Sequence, residues 1–349
     1  MDPAILVRLR PTTPWRVGPD SGARGRVDSI YHSDSLYGAV CGAMLQLGLL
    51  EDWLAATALR PEGSAVRFSS CFPFQDSTLF VTPPRNLWPP TPSAKTRWKG
   101  ATFVPLPLVE AMLADPATAS KDEEHWVVDA ASECLLAVGR GRAYGPFRTA
   151  VRSSAAVDRL SGVTEPFDTG CLEFSPGAGL WCAVAFADGD AKAQWADKVK
   201  SALRLLADSG FGGERSRGWG RSQMPQFHDG SLPDLLVKAP EPSGMAEGEP
   251  APPSETAYWL LSLFNPAAED VVDWQRGNYA VLTRGGRIES AAGWGGLKLG
   301  LRMISEGSVL LASSAPKGGA PNVAPEGFPH PVYRAGFALT IPIPWRVVA

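Results

Sequence analysis

Apolar and polar residues alternate over Ile5–Leu9, the two-residue period of a half-buried strand. The period then lengthens to that of a helix running from about Ser33 to Leu49. Leu36, Val40, Met44 and Leu47 form its stripe, Gly38, Ala39, Gly42 and Ala43 allow close packing, and Ser33 or Asp34 is the expected N-cap. A second stripe, Trp195, Val199, Leu203 and Leu206, marks a helix from Asp190 to Ala207, which Ser209-Gly210 ends as a C-cap does. Short strands are expected around Phe68 and Phe80, over Leu180–Phe186 and over Trp219–Phe227, with an excursion between Thr149 and Phe174. From Gly230 to Glu255, Pro, Gly, Ser and Glu predominate, the composition of a flexible linker over 230–255. Beyond it, strands are expected at Tyr258–Phe264, Tyr279–Thr283, Ser308–Ala312 and Ala335–Ile343. Strand, helix and further strands on either side of a linker predict an α+β protein. Its two units would be ferredoxin-like (RRM-like), spanning residues 1–229 and 256–349.

A length of 349 residues suits two domains, and 44% hydrophobic residues suffice for packed cores. The formal net charge is only −3, yet its sign is patchy. Basic residues gather at Arg8, Arg10, Arg16, Arg24 and Arg26, at Lys95, Arg97 and Lys99, and at Arg140, Arg142, Arg148, Arg152 and Arg159. Acid gathers at Asp122, Glu123 and Glu124 and at Glu241, Glu247, Glu249 and Glu255, so a basic groove on an acidic body is possible. The five cysteines are scattered, without Cys-x-x-Cys or Cys/His spacing, so neither a disulfide framework nor a metal site is indicated. The sequence shows no signal peptide and no apolar run long enough to span a bilayer, and a cytoplasmic protein without membrane contact is expected.

The most informative segment is Asp208–Phe227, where Gly210, Gly212, Gly213, Gly218 and Gly220 are interleaved with Arg215, Ser216, Arg217 and Arg221. Glycine lets the backbone approach a ligand, and arginine offers a permanent charge with a planar donor fork suited to phosphate. A nucleotide-binding motif does not fit. Gly213 and Gly218 have the P-loop spacing but are followed by Trp219 and Gly220, and Arg215 stands where the dinucleotide fingerprint needs glycine. Those motifs also place a strand before the loop and a helix after it, the reverse of the order here. A polyanion clamp at 210–221 remains, alongside a plain surface turn with solvated arginines.

The Gly/Arg loop resembles the signature loop of the RAMP superfamily, the RRM-like subunits of CRISPR effector complexes. Other segments resemble it in the same order. His32-Ser33-Asp34-Ser35-Leu36-Tyr37-Gly38-Ala39 is similar to the start of its first helix, and Ser69-Ser70-Cys71-Phe72-Pro73-Phe74 to a following Ser-x-x-Phe-Pro element. Ala156-Val157-Asp158-Arg159-Leu160-Ser161-Gly162 resembles the segment that opens a projecting β-hairpin, the thumb, placed here near 148–174. His330-Pro331-Val332-Tyr333-Arg334-Ala335-Gly336 resembles a C-terminal element of one branch, the fourth subunits of type III-A Csm complexes. Glu214 departs from the pattern, where a basic or neutral residue is commoner, and Val157 and Ser161 are milder departures.

The resemblance implies a non-catalytic subunit that holds the 5′ tag of the crRNA. Its implied partners are the large polymerase/HD-domain subunit and the adjacent RAMP backbone subunit, with no cofactor and no metal. RNA-binding residues would be His32, Ser33, Gly210, Gly212, Gly213, Arg215, Ser216, Arg217, Gly218, Gly220 and Arg221. Arg148, Arg152 and Arg159 would lie on the thumb. His32-Ser33 at a helix N-terminus has the chemistry to receive a phosphate, or is simply an N-cap. Trp219 is either a stacking platform or a core residue, and Trp88 and Trp98 with Lys95, Arg97 and Lys99 form a basic-aromatic loop facing RNA. Twelve tryptophans suggest that some serve protein contacts. Two other readings stay open. In a metal-independent crRNA-processing endoribonuclease, His32 would be the base among the four histidines, His125, His228 and His330 being poorly placed. A pure scaffold would touch no RNA.

Overall fold

The computed structural model describes residues 1–18, 23–115, 123–139, 144–237, 256–290 and 295–345. The first unit contains β1 (Asp2–Leu9), α1 (Ser33–Gln46), α2 (Leu50–Ala56), β2 (Val66–Phe68), β3 (Phe72–Gln75), β4 (Thr78–Val81) and α3 (Pro92–Arg97). It continues with β5 (Val104–Pro105), α4 (Leu106–Ala114), β6 (Trp126–Asp129), β7 (Cys134–Ala137), β8 (Phe147–Val157) and β9 (Thr164–Phe174). It closes with β10 (Ala178–Phe186), α5 (Gly189–Ser209) and β11 (Gln226–Leu232). The second unit holds β12 (Thr256–Leu260), β13 (Val272–Asn278), β14 (Val281–Arg284), β15 (Leu301–Ile304), β16 (Val309–Ala312) and β17 (Thr340–Pro344).

The main sheet runs β11-β1-β10-β3-β4-β5, with β2 also on β10. β10 is buried along its whole length, as its unbroken apolar run requires of a strand covered on both faces. Helices α1 and α5 pack together against this sheet. The Asp188 side chain caps α5 by accepting from the Ala191 amide at 2.7 Å, and Gly210, at φ 87°, ends it. The second sheet has the order β13-β16-β12-β17, antiparallel throughout. Its Trp259 and Leu261 belong to the same continuous core as Trp181 and Phe72 of the first unit.

Several expectations are corrected. The N-cap of α1 is His32, and Ser33 and Asp34 lie inside the helix, buried. The last strand of the first unit begins at Gln226 rather than Trp219, because Trp219 is held in the turn by the Glu214 carbonyl. Residues 230–237 are not linker. Gly230–Leu232 pair with β1, and Leu236 and Val237 join the core, while the rest of the stretch to 255 lies outside the described residues. The second unit contains no helix among its described residues, so it lacks the helical layer of the expected ferredoxin-like unit. Its Gly- and Pro-rich sequence supplies no apolar stripe for one. Ala335–Leu339, expected as strand, is irregular chain leading to β17.

Polar groups buried between the units lock them together. Arg284 grips the Asp34 carboxylate with two bonds of 3.1 Å and also donates to Ser35 Oγ, while Arg334 donates to the same carboxylate and to the Gly285 carbonyl. Beside them, His32 Nδ1 meets Glu306 at 2.8 Å and Ser70 Oγ donates to the same oxygen. Ser70 Oγ in turn accepts from the Ser33 amide at 2.8 Å, and Ser33 Oγ accepts from the Leu263 amide at 3.0 Å. Burial disfavours the charge on Asp34, but Arg284 and then Arg334 hold its carboxyl down at about 2. Burial likewise works against charge on His32 and Glu306. Their mutual attraction outweighs it, raising His32 and lowering Glu306 relative to their ordinary values.

Removing Asp34 leaves two buried guanidinium groups without a counter-charge, so Asp34→Ala is expected to cost about 3–5 kcal/mol in urea denaturation. The pH dependence has two limbs. The Asp34 and Glu306 contributions are complete above roughly pH 4.5 and fade in acid as each carboxyl protonates. The His32 contribution is complete below roughly pH 6.5 and is lost as pH rises through its raised folded value. Stability should therefore peak between these limits, and His32→Gln should flatten the alkaline limb. An alkaline limb unchanged in that variant would exclude His32 as its source.

Candidate nucleic-acid interface

The Gly/Arg loop owes its shape to tight backbone contacts. A side chain at Gly210 would put Cβ 2.3 Å from the Trp219 carbonyl, and one at Gly220 would put it 2.1 Å from the Phe211 carbonyl. Both residues also have φ between 80° and 90°, so the two arms of the loop close only around glycine. Phe211 then plugs the core with its ring 4.5 Å from Trp15 and 5.4 Å from Tyr31. Gly213 donates to the Arg16 carbonyl at 2.8 Å and Gly220 to the Pro14 carbonyl at 2.9 Å, so the segment 14–16 lines the loop. On its other side that segment exchanges backbone bonds of 3.0 and 2.7 Å between Trp15 and Leu172, at the root of the β8–β9 hairpin.

Arg16 fastens the third piece. Its buried guanidinium donates to the carbonyls of Arg24 (2.6 Å), Gly170 (3.0 Å) and Ala23 (3.1 Å). The loop, the hairpin root and the 23–28 segment therefore meet at one place. What they present outward is cationic. Arg215, Ser216, Arg217, Arg221, Arg24 and Arg26 are all exposed. Arg24 and Arg217 lie over the ring of Phe167, on β9, at 5.3 and 5.0 Å. Phe167 is invisible to sequence patterning because a lone aromatic in a polar hairpin carries no period. Its only signal is its place inside the excursion.

Several of the arginines on this face already have carboxylates. Arg217 lies 3.2 Å from Glu214, and Arg215 pairs with Glu289 of the second unit. Arg148 (2.9 Å) and Arg152 share Glu173 on the hairpin, whose carboxyl is held low chiefly by its hydrogen bond from Arg148. Among the described residues, Arg24, Arg26, Arg159 and Arg221 have no carboxylate partner. The hairpin pairs in register from Phe147 opposite Phe174 to Val157 opposite Thr164. Its tip is bare, with Leu160 99% exposed and Arg159 beside it.

His32 and Ser33 do not join this surface. Ser33 is buried and His32 largely so (side chain 11% exposed) in the lock between the units; Ser33 is committed to Ser70 and the Leu263 amide and His32 Nδ1 to Glu306, so neither lies on the arginine surface. Trp219 is half-buried at the edge of the loop. Trp98 is buried and stacks with Trp88 at 5.3 Å, so of the basic-aromatic pair only Trp88 reaches an open surface. Among the described residues no three His, Cys, Asp or Glu side chains are grouped to hold a metal ion, and no helix is long and apolar enough to cross a membrane.

Residues 254–343 match the family model of the CRISPR Csm4 C-terminal domain. No curated protein matches the sequence. Among solved structures, a chain of the Csm3-Csm4 subcomplex of the type III-A CRISPR-Cas interference complex superposes with a TM-score of 0.62 at 16% identity. The match covers 98% of this chain and 99% of that one. Chains of the Csm1-Csm4 cassette, in complexes with cA4 and with pppApA, give TM-scores of 0.56 and 0.54 at 17% identity, covering 99% and 98%. The α+β fold with mostly antiparallel sheets is thus shared with these chains. The protein is Csm4-like in two respects: residues 254–343 match the Csm4 C-terminal domain, and nearly the whole chain is similar in fold to a chain of these Csm4-containing complexes.

Glu214 sits in the left-handed region at φ 61°, a conformation costly for a side-chain-bearing residue, and it also neutralises Arg217. Glu214→Gly removes both handicaps. It is expected to stabilise the protein by about 1 kcal/mol in thermal denaturation and to tighten binding of single-stranded RNA. Weaker RNA binding in that variant would show that Glu214 orients Arg217 for its ligand instead of competing for it.

Proposed function

We propose that this protein is the non-catalytic subunit of a type III CRISPR interference complex that holds the 5′ tag of the crRNA. The observation that carries the reading is the convergence of Arg24, Arg215, Arg217 and Phe167 where the Gly/Arg loop meets the hairpin root. Single-stranded RNA is bound by guanidinium and amide contacts to phosphate and by bases laid on aromatic or guanidinium planes, and this surface offers both. The sheet order β11-β1-β10-β2, with α1 after the first strand and α5 after the third, supports a ferredoxin-like first unit. On that reading the β8–β9 hairpin is the thumb. Its bare Leu160 and neighbouring Arg159 suit a wedge against stacked bases, with Arg148 and Arg152 along the phosphates.

Relatives of this fold are found with Csm1 and with Csm3, and we assign the equivalent partners here: a large polymerase-like subunit and an adjacent RAMP backbone subunit. The processing-nuclease alternative is weakened because its candidate base, His32, is largely enclosed between the units and forms part of the Glu306–Ser70 cluster instead of the arginine surface. Incubating the chain with repeat RNA in the absence of metal is expected to leave the RNA intact.

Arg217→Ala and Arg221→Ala should each weaken tag-RNA binding. Each should also reduce the dependence of log K on log salt by about 0.7 for every phosphate left without its cation. Polarisation titrations at several salt concentrations, on protein co-expressed with its complex, measure both. If both variants match the parent in affinity and slope, the loop is a structural turn and the tag-holding role falls.

A further inference from the structure

Two cations of the N-terminal basic cluster, Arg8 and Arg10, have no part in the loop that Arg16 and Arg24 help to build. Arg8 lies on β1, directly opposite Trp181 of β10 and Gln226 of β11. Residues opposite one another share a face of the sheet. Ile5 shares the other face with Asp229, which Lys192 and Lys200 of α5 both reach at 3.1 Å, so Arg8 projects from the side without helices. The second unit covers part of that side. Arg67, level with Ala185 and Ala4, donates to the Ala338 carbonyl at 3.3 Å, and Ala4 and Leu6 are buried. The cover ends before Arg8. Arg8 and Arg10 are only half-buried, and Gln223, Met224, Gln226 and His228 alongside them are exposed.

The guanidinium groups of this pair hold no anion. Neither has a carboxylate partner among the described residues. Arg8 lies over the Phe74 ring at 5.3 Å, and its one hydrogen bond is a long one, 3.4 Å to the Asp76 carbonyl. The Nε of Arg8 and the Nε of Arg10 are both enclosed and without an acceptor. Burial, and then the neighbouring charge of Arg10, push the Arg8 pKa down, so the two groups are close enough to repel. Enclosed donors without acceptors are unfavourable, and so are like charges side by side. An anion with oxygens on several sides relieves both.

This pair is continuous with the Gly/Arg loop. The Gln223 amide donates to the Arg10 carbonyl at 2.8 Å, the Thr12 amide donates to the Arg221 carbonyl at 2.9 Å, and Pro11 bridges to Ser222 between them. The extended backbone steps from Arg8 to Arg10 to Thr12, the partner of Arg221, in strides of about 7 Å. A polyanion leaving the loop past Arg221 meets Arg10 and then Arg8. The exposed side chains beside them are amides and an imidazole with a single methionine, so they lack the apolar centre that a protein interface buries. They have the donors and acceptors to meet bases.

We propose that Arg8 and Arg10 form a phosphate site for the single RNA strand that leaves the Gly/Arg loop, whose backbone then crosses the open, helix-free side of the first sheet. The path rests on the reading of the loop as an RNA clamp.

The test uses the full-length chain and a fluorescein-labelled dodecauridylate, with polarisation titrations at several chloride concentrations. A second dodecamer carrying 4-thiouridine is photo-crosslinked and its sites mapped by mass spectrometry. Arg10→Gln, whose side chain has no hydrogen-bond or ion-pair partner to lose, should keep the parent's melting curve. It should lower the slope of log K against log salt by about 0.7, and Arg8→Gln/Arg10→Gln by about 1.4 with roughly 10-fold weaker binding. Crosslinks are expected within 223–228 and should be lost in the double variant. If Arg217→Ala weakens binding while both glutamine variants match the parent in affinity and slope, the sheet path is overturned and the loop reading stands. If the glutamine variants weaken binding while Arg217→Ala and Arg221→Ala do not, the loop reading falls and Arg8–Arg10 remains a phosphate site on its own. If no variant differs from the parent, both fall. A parent stabilised against heat by inorganic phosphate, without crosslinks at 223–228, would make the pair a small-anion site and overturn the strand path.

Discussion

The carboxylate of Asp34 is the point on which the molecule turns. It sits inside the first turn of α1, buried, and is held by Arg284 and Arg334 from a segment of chain that begins some 250 residues later. Taking three charges out of water is expensive, so such a cluster is better understood as setting one arrangement of the two units than as adding stability. Its consequences run outward in two directions. Along the first unit, the start of α1 fixes Tyr31, which bridges to Cys71 and meets the rings of Trp15 and Phe211 beneath the Gly/Arg loop. Along the second, Arg284 and Gly285 lead within a few residues to Glu289, which reaches Arg215 on the outer side of the same loop. The loop is therefore gripped from below and from one flank by elements that one buried anion aligns.

The exposed arginines around that loop are not all free charges. Glu214, Glu289 and Glu173 each occupy one or two of them, and under the proposed function an RNA strand would displace these carboxylates. Exposed pairs of this kind are individually weak, so the exchange is permitted at modest cost. They also lower the field of the bare protein, which is consistent with a chain of net charge −3 that would bind a polyanion at one face without collecting it everywhere. Arg24 and Arg221, with no such partner, would under the proposed function be the first points of contact.

How much of this was legible in the sequence follows from the range of each interaction. The stripes of α1 and α5 and the glycine at the end of α5 are local signals, and they mark the helices to within a few residues. The glycines at 210–220 announced a tightly closed loop, although the atoms they approach belong mainly to the loop itself and to Pro14–Arg16 instead of a ligand. His32-Ser33 misled for the opposite reason. A polar pair at a helix N-terminus looks the same whether its acceptor is a phosphate or a glutamate 274 residues away. Nothing local announces Glu306, Arg284 or Arg334 as partners, because such pairing is a property of the folded chain. The second unit departs from the ferredoxin-like pattern because Gly- and Pro-rich connections, without an apolar helical stripe, join its described strands.

The tryptophans show how core and surface are joined. Five of the twelve, Trp15, Trp53, Trp181, Trp195 and Trp259, are fully buried and serve packing. Two of them act on the same short element. Trp181 of the first sheet donates to the Phe80 carbonyl at 2.8 Å, and Trp259 of the second donates to the Thr82 carbonyl at 3.2 Å, so β4 and its continuation are pinned by indoles from both units. That continuation runs directly into Arg85 and Trp88, from a strap that neither unit can move alone.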